Sequence, residues 1–241
     1  FSTATQLVAS QPNPQIVSVG YNITPPFWMY LYALTASLLI FLPINKLYLH
    51  QKYKYHLNKS FFITDNYKYF KPKFRDTINN FVSNGKLIKD SRNTIKSFNI
   101  DNLKLNIKRF KKPNFFNKII YTFFRSTKAQ RSFDYAKKLI ELGIATPKPI
   151  FYYNKFKSGL IYQSFYCSEN IDYDYDMEYV FENKQLINRD QLLKEFTLFT
   201  HNLHENGIMF LDHSRSNTLI KKNNNGYKFY LIDLNRMRFK S

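Results

Sequence analysis

Three side chains suited to handling phosphate and a divalent cation fall close together near the end of the chain: Asp212, Asn217 and Asp233. Phosphoryl transfer needs one carboxylate to accept or orient the proton of the attacking hydroxyl. It also needs a carboxylate and an amide oxygen to hold Mg²⁺, a hard ion that takes few protein oxygens and completes its shell with phosphate oxygens. Asp212 suits the first role; Asn217 and Asp233 suit the second. The five-residue step from Asp212 to Asn217 is weak by itself. Its context strengthens it. A helix ends at Asn206-Gly207, a short apolar strand leads to Asp212, and the runs Thr218–Ile220 and Lys228–Ile232 form a hairpin across an Asn/Gly turn. That hairpin returns Asp233 to the side of Asn217. The plainer reading, in which Asp212 and Asn217 cap a turn and Asp233 ends a strand, leaves three spacings to coincidence.

A transferable phosphoryl group also needs a cation on the nucleotide phosphates. Lys108, at the end of the alternating stretch Leu105–Phe110, is the best candidate, although Arg109, Lys111 and Lys112 beside it would also suit a plain basic surface. The next helix should offer Lys108 a carboxylate, and Asp134 is the one available, with Glu141 too far along.

The elements that must position these groups follow from periodicity. Phe61–Thr64, Lys86–Lys89, Thr94–Phe98 and Leu103–Lys108 alternate apolar with polar and predict antiparallel strands with one wet face. Phe115–Phe124 is a mixed aromatic segment. A helix is expected over about Lys128–Leu142, with Gly143 just past its end and Pro147 and Pro149 barring continuation. Two strands follow, Ile150–Tyr153 and Leu160–Tyr166. The acidic, Tyr-rich stretch from Glu169 to Glu178 reads as a solvated loop. A second helix covers about Asp190–Glu205, with Leu192, Leu193, Phe196, Phe199, Thr200 and Leu203 on one face. Sheet first and helices afterwards give an α+β, two-lobed order.

The chain has 241 residues and a net charge of +19, and 44% of it is hydrophobic, too apolar for a disordered polyelectrolyte. A lone cysteine excludes an intrachain disulfide and a Cys-based zinc cluster and suits a reducing compartment. The charge is local. Phe1–Asn45 carries none, whereas Lys46–Arg125 carries 19 Lys+Arg against 4 Asp. Such a field draws nucleic acid, anionic lipid or a phosphorylated molecule without choosing among them. Within the uncharged start, Phe27–Leu42 is an apolar run between Pro25-Pro26 and Pro43, slightly short of a bilayer span unless Ile44–Leu49 extend it. Lys46, Lys52 and Lys54 supply a cytoplasmic-side flank. Nothing basic precedes the run, so it is a poor secretory signal; the plainer readings are a buried helix or upstream sequence unrelated to the folded domain.

Taken together, these residues resemble the lipopolysaccharide kinase family, the Kdo and heptose kinases of the bacterial inner membrane, whose fold is related to protein kinases. The resemblance spans roughly Lys86–Phe239. It rests on Ser91–Lys96, Ile107–Pro113, Arg131–Ala136, the Gly-Ile-Ala-Thr-Pro-Lys-Pro of Gly143–Pro149, Leu203–Ile220, and the Ile-Asp-Leu-Asn-Arg of Ile232–Arg236. It implies a protein-kinase-like two-lobed fold. An uncharged segment and possible anchor at 1–50 precedes a sheet-rich nucleotide-binding lobe at 51–165 and a partial helical lobe at 166–241. It implies ATP and Mg²⁺ as cofactors and phosphorylation of a sugar hydroxyl of the lipopolysaccharide inner core, with Kdo as the expected acceptor. The expected location is the cytoplasmic face of the inner membrane, peripheral or anchored by 27–49, on an anionic membrane surface. Specific nucleic-acid binding is not expected.

The sequence also departs from the family pattern. The loop near Asp90–Thr94 lacks a glycine-rich signature, so Ser91, Arg92 and Asn93 are expected to contact the nucleotide. Phe210-Leu211 replaces the His-Arg that precedes the catalytic aspartate in protein kinases. The chain stops eight residues after Asp233, so the helical lobe is expected to be incomplete. The competing reading is a catalytically inactive kinase-like binding module at a membrane, or a basic nucleic-acid binder, motivated by the basic, aromatic-rich Lys46–Arg125.

Overall fold

A computed structural model describes residues 3–6, 17–20, 60–224 and 226–240. The chain divides into two compact units, Phe1–Gln51 and Lys52–Ser241. In the first, β1 (Thr3–Gln6) pairs antiparallel with β2 (Val17–Gly20). The apolar run at 27–49 lies outside the described residues, and among those described no helix is long and apolar enough to cross a membrane.

The second unit begins with β3 (Phe61–Ile63), followed by α1 (Lys71–Asn79) and the strands β4 (Lys86–Asp90), β5 (Thr94–Ile100) and β6 (Leu103–Arg109). After α2 (Phe115–Ile119) and α3 (Lys128–Glu141) come β7 (Pro149–Lys157) and β8 (Leu160–Glu169). These six strands form one antiparallel sheet in the order β3-β7-β8-β6-β5-β4. Alternation sets the faces: Phe98 and Ile100 on β5 and Leu105 and Ile107 on β6 are buried on one side. Phe74 and Ile78, four apart on α1, and Phe81 share that core with Phe151 of β7 and Phe165 of β8.

Helix α3 joins this sheet to the rest of the unit because it is apolar on two faces. Ala129 and Phe133 pack with Phe110 and Tyr152. One turn further on, Ala136 and Leu139 pack with Leu203, Ile208, Phe210, Leu231, Leu234 and Met237. Thr127 starts the helix, its hydroxyl accepting from Gln130 N at 3.2 Å and donating to the buried Asn154 side chain at 2.9 Å. Gly143, at φ +75°, ends it.

Beyond the sheet come β9 (Tyr175–Asp176), α4 (Met177–Glu182), α5 (Arg189–Glu205), β10 (Ile208–Phe210), β11 (Thr218–Asn223), β12 (Gly226–Leu231) and β13 (Met237–Phe239). Strand β11 lies between β12 and β9, and β10 pairs with β13, all antiparallel. The expected strands and both long helices are present; β7 and β8 are longer than their apolar runs indicated. Three departures stand out. Lys71–Asn79, between the predicted strands Phe61–Thr64 and Lys86–Lys89, forms α1, with Pro72 in its first turn. The Phe115–Phe124 segment is helical. Part of the stretch read as a solvated acidic loop folds instead, with Asp176 capping α4 through Tyr179 N at 2.8 Å while Met177 and Val180 are buried.

Candidate active site

Asp212, Asn217 and Asp233 converge, and backbone hydrogen bonds fix how. Ile232 N donates to Asn217 O at 3.0 Å, which places the residue before Asp233 directly against Asn217. The Asn217 amide nitrogen donates to Asp212 O at 2.8 Å. Leu211 N donates to Arg236 O at 3.0 Å, closing the corner from the other side. The hairpin β11–β12 and the short pair β10–β13 therefore bring loops from three parts of the sequence to one end. Two buried contacts hold the hairpin from behind: Leu231 N donates to Ala145 O at 3.1 Å, and Thr146 Oγ1 donates to Leu231 O at 2.7 Å. This gives the Gly-Ile-x-Thr-Pro segment a role that its sequence did not disclose.

The carboxylate of Asp233 carries two contacts. Lys108 Nζ lies 2.7 Å from Oδ2, and Asn235 Nδ2 donates to Oδ1 at 2.6 Å. The ion pair is shielded, with the Lys108 side chain 12% exposed and that of Asp233 27% exposed. Burial pulls the Lys108 ammonium below its ordinary value, Asp233 opposes that, and Lys89 and Arg92 pull it further down. Asp233 also has φ +59°, a left-handed conformation that aspartate tolerates better than most residues and that concentrates at functional sites. The Lys108 ammonium, expected to pair with a helix carboxylate at Asp134, instead pairs with Asp233, and Asp134 is on the exposed side of α3. The reason is register. Phe133 and Ala136 turn inward, so the residue between them on the helix faces water.

The turn at Ser91, Arg92 and Asn93 is built as follows. Ser91 and Arg92 are exposed; Asn93 is partly covered. The Asn93 side chain accepts from Lys111 N at 3.1 Å, tying the turn to the end of β6. Arg92 acts electrostatically on both Lys108 and Lys128. Burial and the charges of Arg92, Arg131 and Arg236 lower the Lys128 ammonium, with Asp233 opposing. Lys128, Arg131 and Arg236 are the cations that a search by spacing missed. Arg131 is buried on α3, where Nε donates to Asn235 O at 3.1 Å and Nη1 to Ser126 O at 2.6 Å. Its signals in the sequence were its place at the head of the family-like run Arg131–Ala136 and its position on the apolar face of an amphipathic helix. Arg236 Nη1 lies 3.5 Å from Asp212 Oδ1.

His213 directly follows Asp212 in the loop to Asn217. Its ring stacks on Phe210 at 5.3 Å and meets the edge of Phe196, and Nε2 is 3.3 Å from Thr218 Oγ1. Burial lowers its imidazole from the ordinary value. It braces the loop instead of facing the carboxylates. Chemically, the arrangement offers two carboxylates, one amide and several cations around one corner. This suits a polyanionic phosphate with a hard metal ion.

The family model for the lipopolysaccharide kinase (Kdo/WaaP) family matches residues 89–241. No curated protein matches the sequence. Among solved structures, WaaP in complex with acyl carrier protein is similar with a TM-score of 0.52 at 15% identity, covering 75% of this chain and 73% of that one. The Rio2 kinase–ADP/Mg²⁺–phosphoaspartate complex from Chaetomium thermophilum has a TM-score of 0.47 at 15% identity, covering 69% of this chain and 52% of that one. The fold is α+β and protein-kinase-like.

Proposed function

This chain belongs to the lipopolysaccharide kinase (Kdo/WaaP) family, and we propose that it transfers the γ-phosphoryl group of ATP to a sugar hydroxyl of the lipopolysaccharide inner core, with Kdo as the acceptor. The observation that carries this reading is the shielded 2.7 Å pair of Lys108 with Asp233, set against Asn217 and Asp212. Sheet and hairpin have no folding reason to bury a lysine there. A phosphate-binding site does.

Asp212 serves as the base that accepts or orients the acceptor hydroxyl's proton, with Arg236 Nη1 3.5 Å from its Oδ1. Lys108 holds the nucleotide phosphates and neutralises charge that builds as the phosphoryl group leaves. The donor set suits Mg²⁺: the Asp233 carboxylate and the Asn217 amide oxygen are hard oxygen ligands, and the Asn217 nitrogen is already committed to Asp212 O. When bound, the metal would screen the phosphate charge and orient it for in-line attack. Arg92, in the turn beside Lys108, adds a second cation above the phosphates, a role shared with Ser91 and Asn93 in the same turn. A lipid-linked acceptor places the enzyme at the cytoplasmic face of the inner membrane.

The test is incubation of the full chain with Mg²⁺, labelled ATP and deacylated core sugar, alongside Asp212→Asn. Label should pass to the sugar, and Asp212→Asn should lower that rate by about 100-fold or more with its thermal unfolding unchanged. Transfer to water or protein but not sugar, or an Asp212→Asn variant with wild-type turnover, overturns the reading.

A further inference from the structure

Soluble helices turn their apolar stripe inward, and the segment from Phe115 to Phe124 turns much of its stripe outward. Asn114 caps α2, accepting from Asn117 N at 3.0 Å, and the helix continues as a wider turn over Ile120–Phe124, closed by Arg125 N donating to Ile120 O at 2.8 Å. One side is pinned to the sheet. Thr122 is fully buried; its hydroxyl donates to Lys118 O at 2.6 Å and accepts from Ile161 N of β8 at 3.0 Å. On the other side, Phe116, Ile120 and Phe124 recur every four residues and are 75%, 41% and 66% exposed, and Phe115 beside them is 63% exposed. A hydrophobic core cannot account for this row, because the anchored threonine fixes which way it faces.

The charge around the row has one sign. No Asp or Glu occurs between Asp101 and Asp134. Lys111, Lys112 and Arg125 flank the row and are exposed, and Lys118 sits within it. The end of β7, leading into the β7–β8 turn, adds Lys155 and Lys157. Lys112 lies over the Tyr162 ring at 4.6 Å and Lys157 at 6.0 Å, so that turn and the segment border the same surface. Exposed aromatics rimmed by lysine and arginine, in a stretch of sequence without an acid, form the surface of an interfacial helix. Its rings enter the acyl boundary while its cations remain among anionic headgroups.

We propose that Phe115–Phe124 lies in the plane of an anionic lipid bilayer and seats the enzyme on it through Phe115, Phe116, Ile120 and Phe124. Charge complementarity and the exposure of the apolar row together select a lipid surface over an apolar protein partner, which would leave the rim of cations unmatched. The inference does not rest on the phosphoryl-transfer reading, since none of these residues contributes to the carboxylate corner.

A local probe separates this surface from anything the N-terminal unit does. In a Trp28→Phe background, which removes the chain's one tryptophan, Phe116→Trp reports the environment of the row. Its emission should shift to shorter wavelength on adding phosphatidylglycerol-containing vesicles, but not with phosphatidylcholine alone, and the shift should diminish as salt is raised. In co-sedimentation, F116S/I120S/F124S should lower partitioning onto those vesicles by about tenfold or more without lowering the unfolding temperature. An unshifted spectrum with anionic vesicles overturns the proposal. So does a shift that appears with an acidic carrier protein instead of vesicles, or one that grows with protein concentration alone, which would make the surface a protein interface.

Discussion

Removing the charge of Asp233 by Asp233→Asn leaves the Lys108 ammonium without its partner in a site where its side chain is only 12% exposed. Unit charges separated by 2.7 Å attract by about 6 kcal/mol at an effective dielectric of about 20. Desolvating the two groups cancels several kcal/mol of that, so the intact pair is worth far less than its Coulomb energy. Breaking it is different, because the desolvated ammonium remains: the expected loss is about 3–5 kcal/mol. For a chain of this size that lowers the unfolding temperature by on the order of 10 °C. Lys108→Met should cost less, since Asp233 is 27% exposed and still accepts from Asn235 Nδ2 at 2.6 Å. The double variant Lys108→Met/Asp233→Asn should therefore be more stable than Asp233→Asn alone. Thermal unfolding of the four proteins by circular dichroism gives the coupling. A pH series adds a sign check. Burial depresses the folded Lys108 pKa, so the unfolded chain holds more protons in the window just below the ordinary lysine value, and stability rises with pH through that window. Losing Asp233 lowers that folded pKa further, so the rise should begin at lower pH in Asp233→Asn and vanish in both Lys108→Met proteins. An Asp233→Asn protein that unfolds with the wild type, or a double variant no more stable than Asp233→Asn, would refute the reasoning.

Three further outcomes are expected. Gly85→Ala should destabilise by roughly 1–3 kcal/mol in urea unfolding, because the site has φ +87° and a Cβ there would lie 2.5 Å from the Phe98 ring; an unchanged midpoint would mean the turn relaxes freely. Arg131→Lys should lose the planar two-site contact with Asn235 O and Ser126 O and reduce phosphoryl transfer while the ATP requirement persists; wild-type turnover would make Arg131 a packing residue only. His213→Phe should flatten the acid limb of stability. The buried imidazole is held below its ordinary value, so the unfolded chain takes up a proton that the folded one refuses, and wild-type stability falls as pH drops through about 6.5; equal slopes for the two proteins would remove that role.

What the sequence discloses about this site is the part carried by local pattern. Asp212, Asn217 and Asp233 were legible because a strand, a turn and a hairpin fix their relative positions over short separations, and Ile232 N to Asn217 O is the hydrogen bond that such a hairpin requires. The lysine was legible as a strand-end cation. Its partner was not. Choosing between Asp134 and Asp233 depends on the rotation of α3, which is set by Phe133 packing on Tyr152 and Phe110, contacts from distant strands. Arg131 was hidden for the same reason: a helix-face arginine becomes a clamp only once Asn235 arrives from 104 residues away. Helix α1 was missed because Phe74, Ile78 and Phe81 mark a helical face only when the sheet beneath them is known. The outward row at Phe116, Ile120 and Phe124 was visible as aromatic content, but its direction depends on Thr122 and β8.

The pairing of Lys108 with Asp233 bears on how the corner would be used. A carboxylate 2.7 Å from an ammonium cannot at the same time give its full charge to a metal ion. The polyphosphate of a nucleotide supplies the anion that Lys108 would lose and the oxygens that a divalent ion needs, so nucleotide and metal together can replace the ion pair where neither does so well alone. Arg92 and Lys128, which bear electrostatically on the same lysine and aspartate, favour the exchange because each is relieved by an arriving phosphate. If the proposed function holds, the resting pair would give way to Mg²⁺ and polyphosphate acting jointly. Titration should therefore show Mg²⁺ strengthening ATP binding and ATP strengthening Mg²⁺ binding by the same factor, as linkage demands. In Lys108→Met that factor should shrink, since the metal no longer has to displace an ammonium from Asp233. Equal factors for wild type and Lys108→Met would show that the ion pair and the metal do not compete for Asp233.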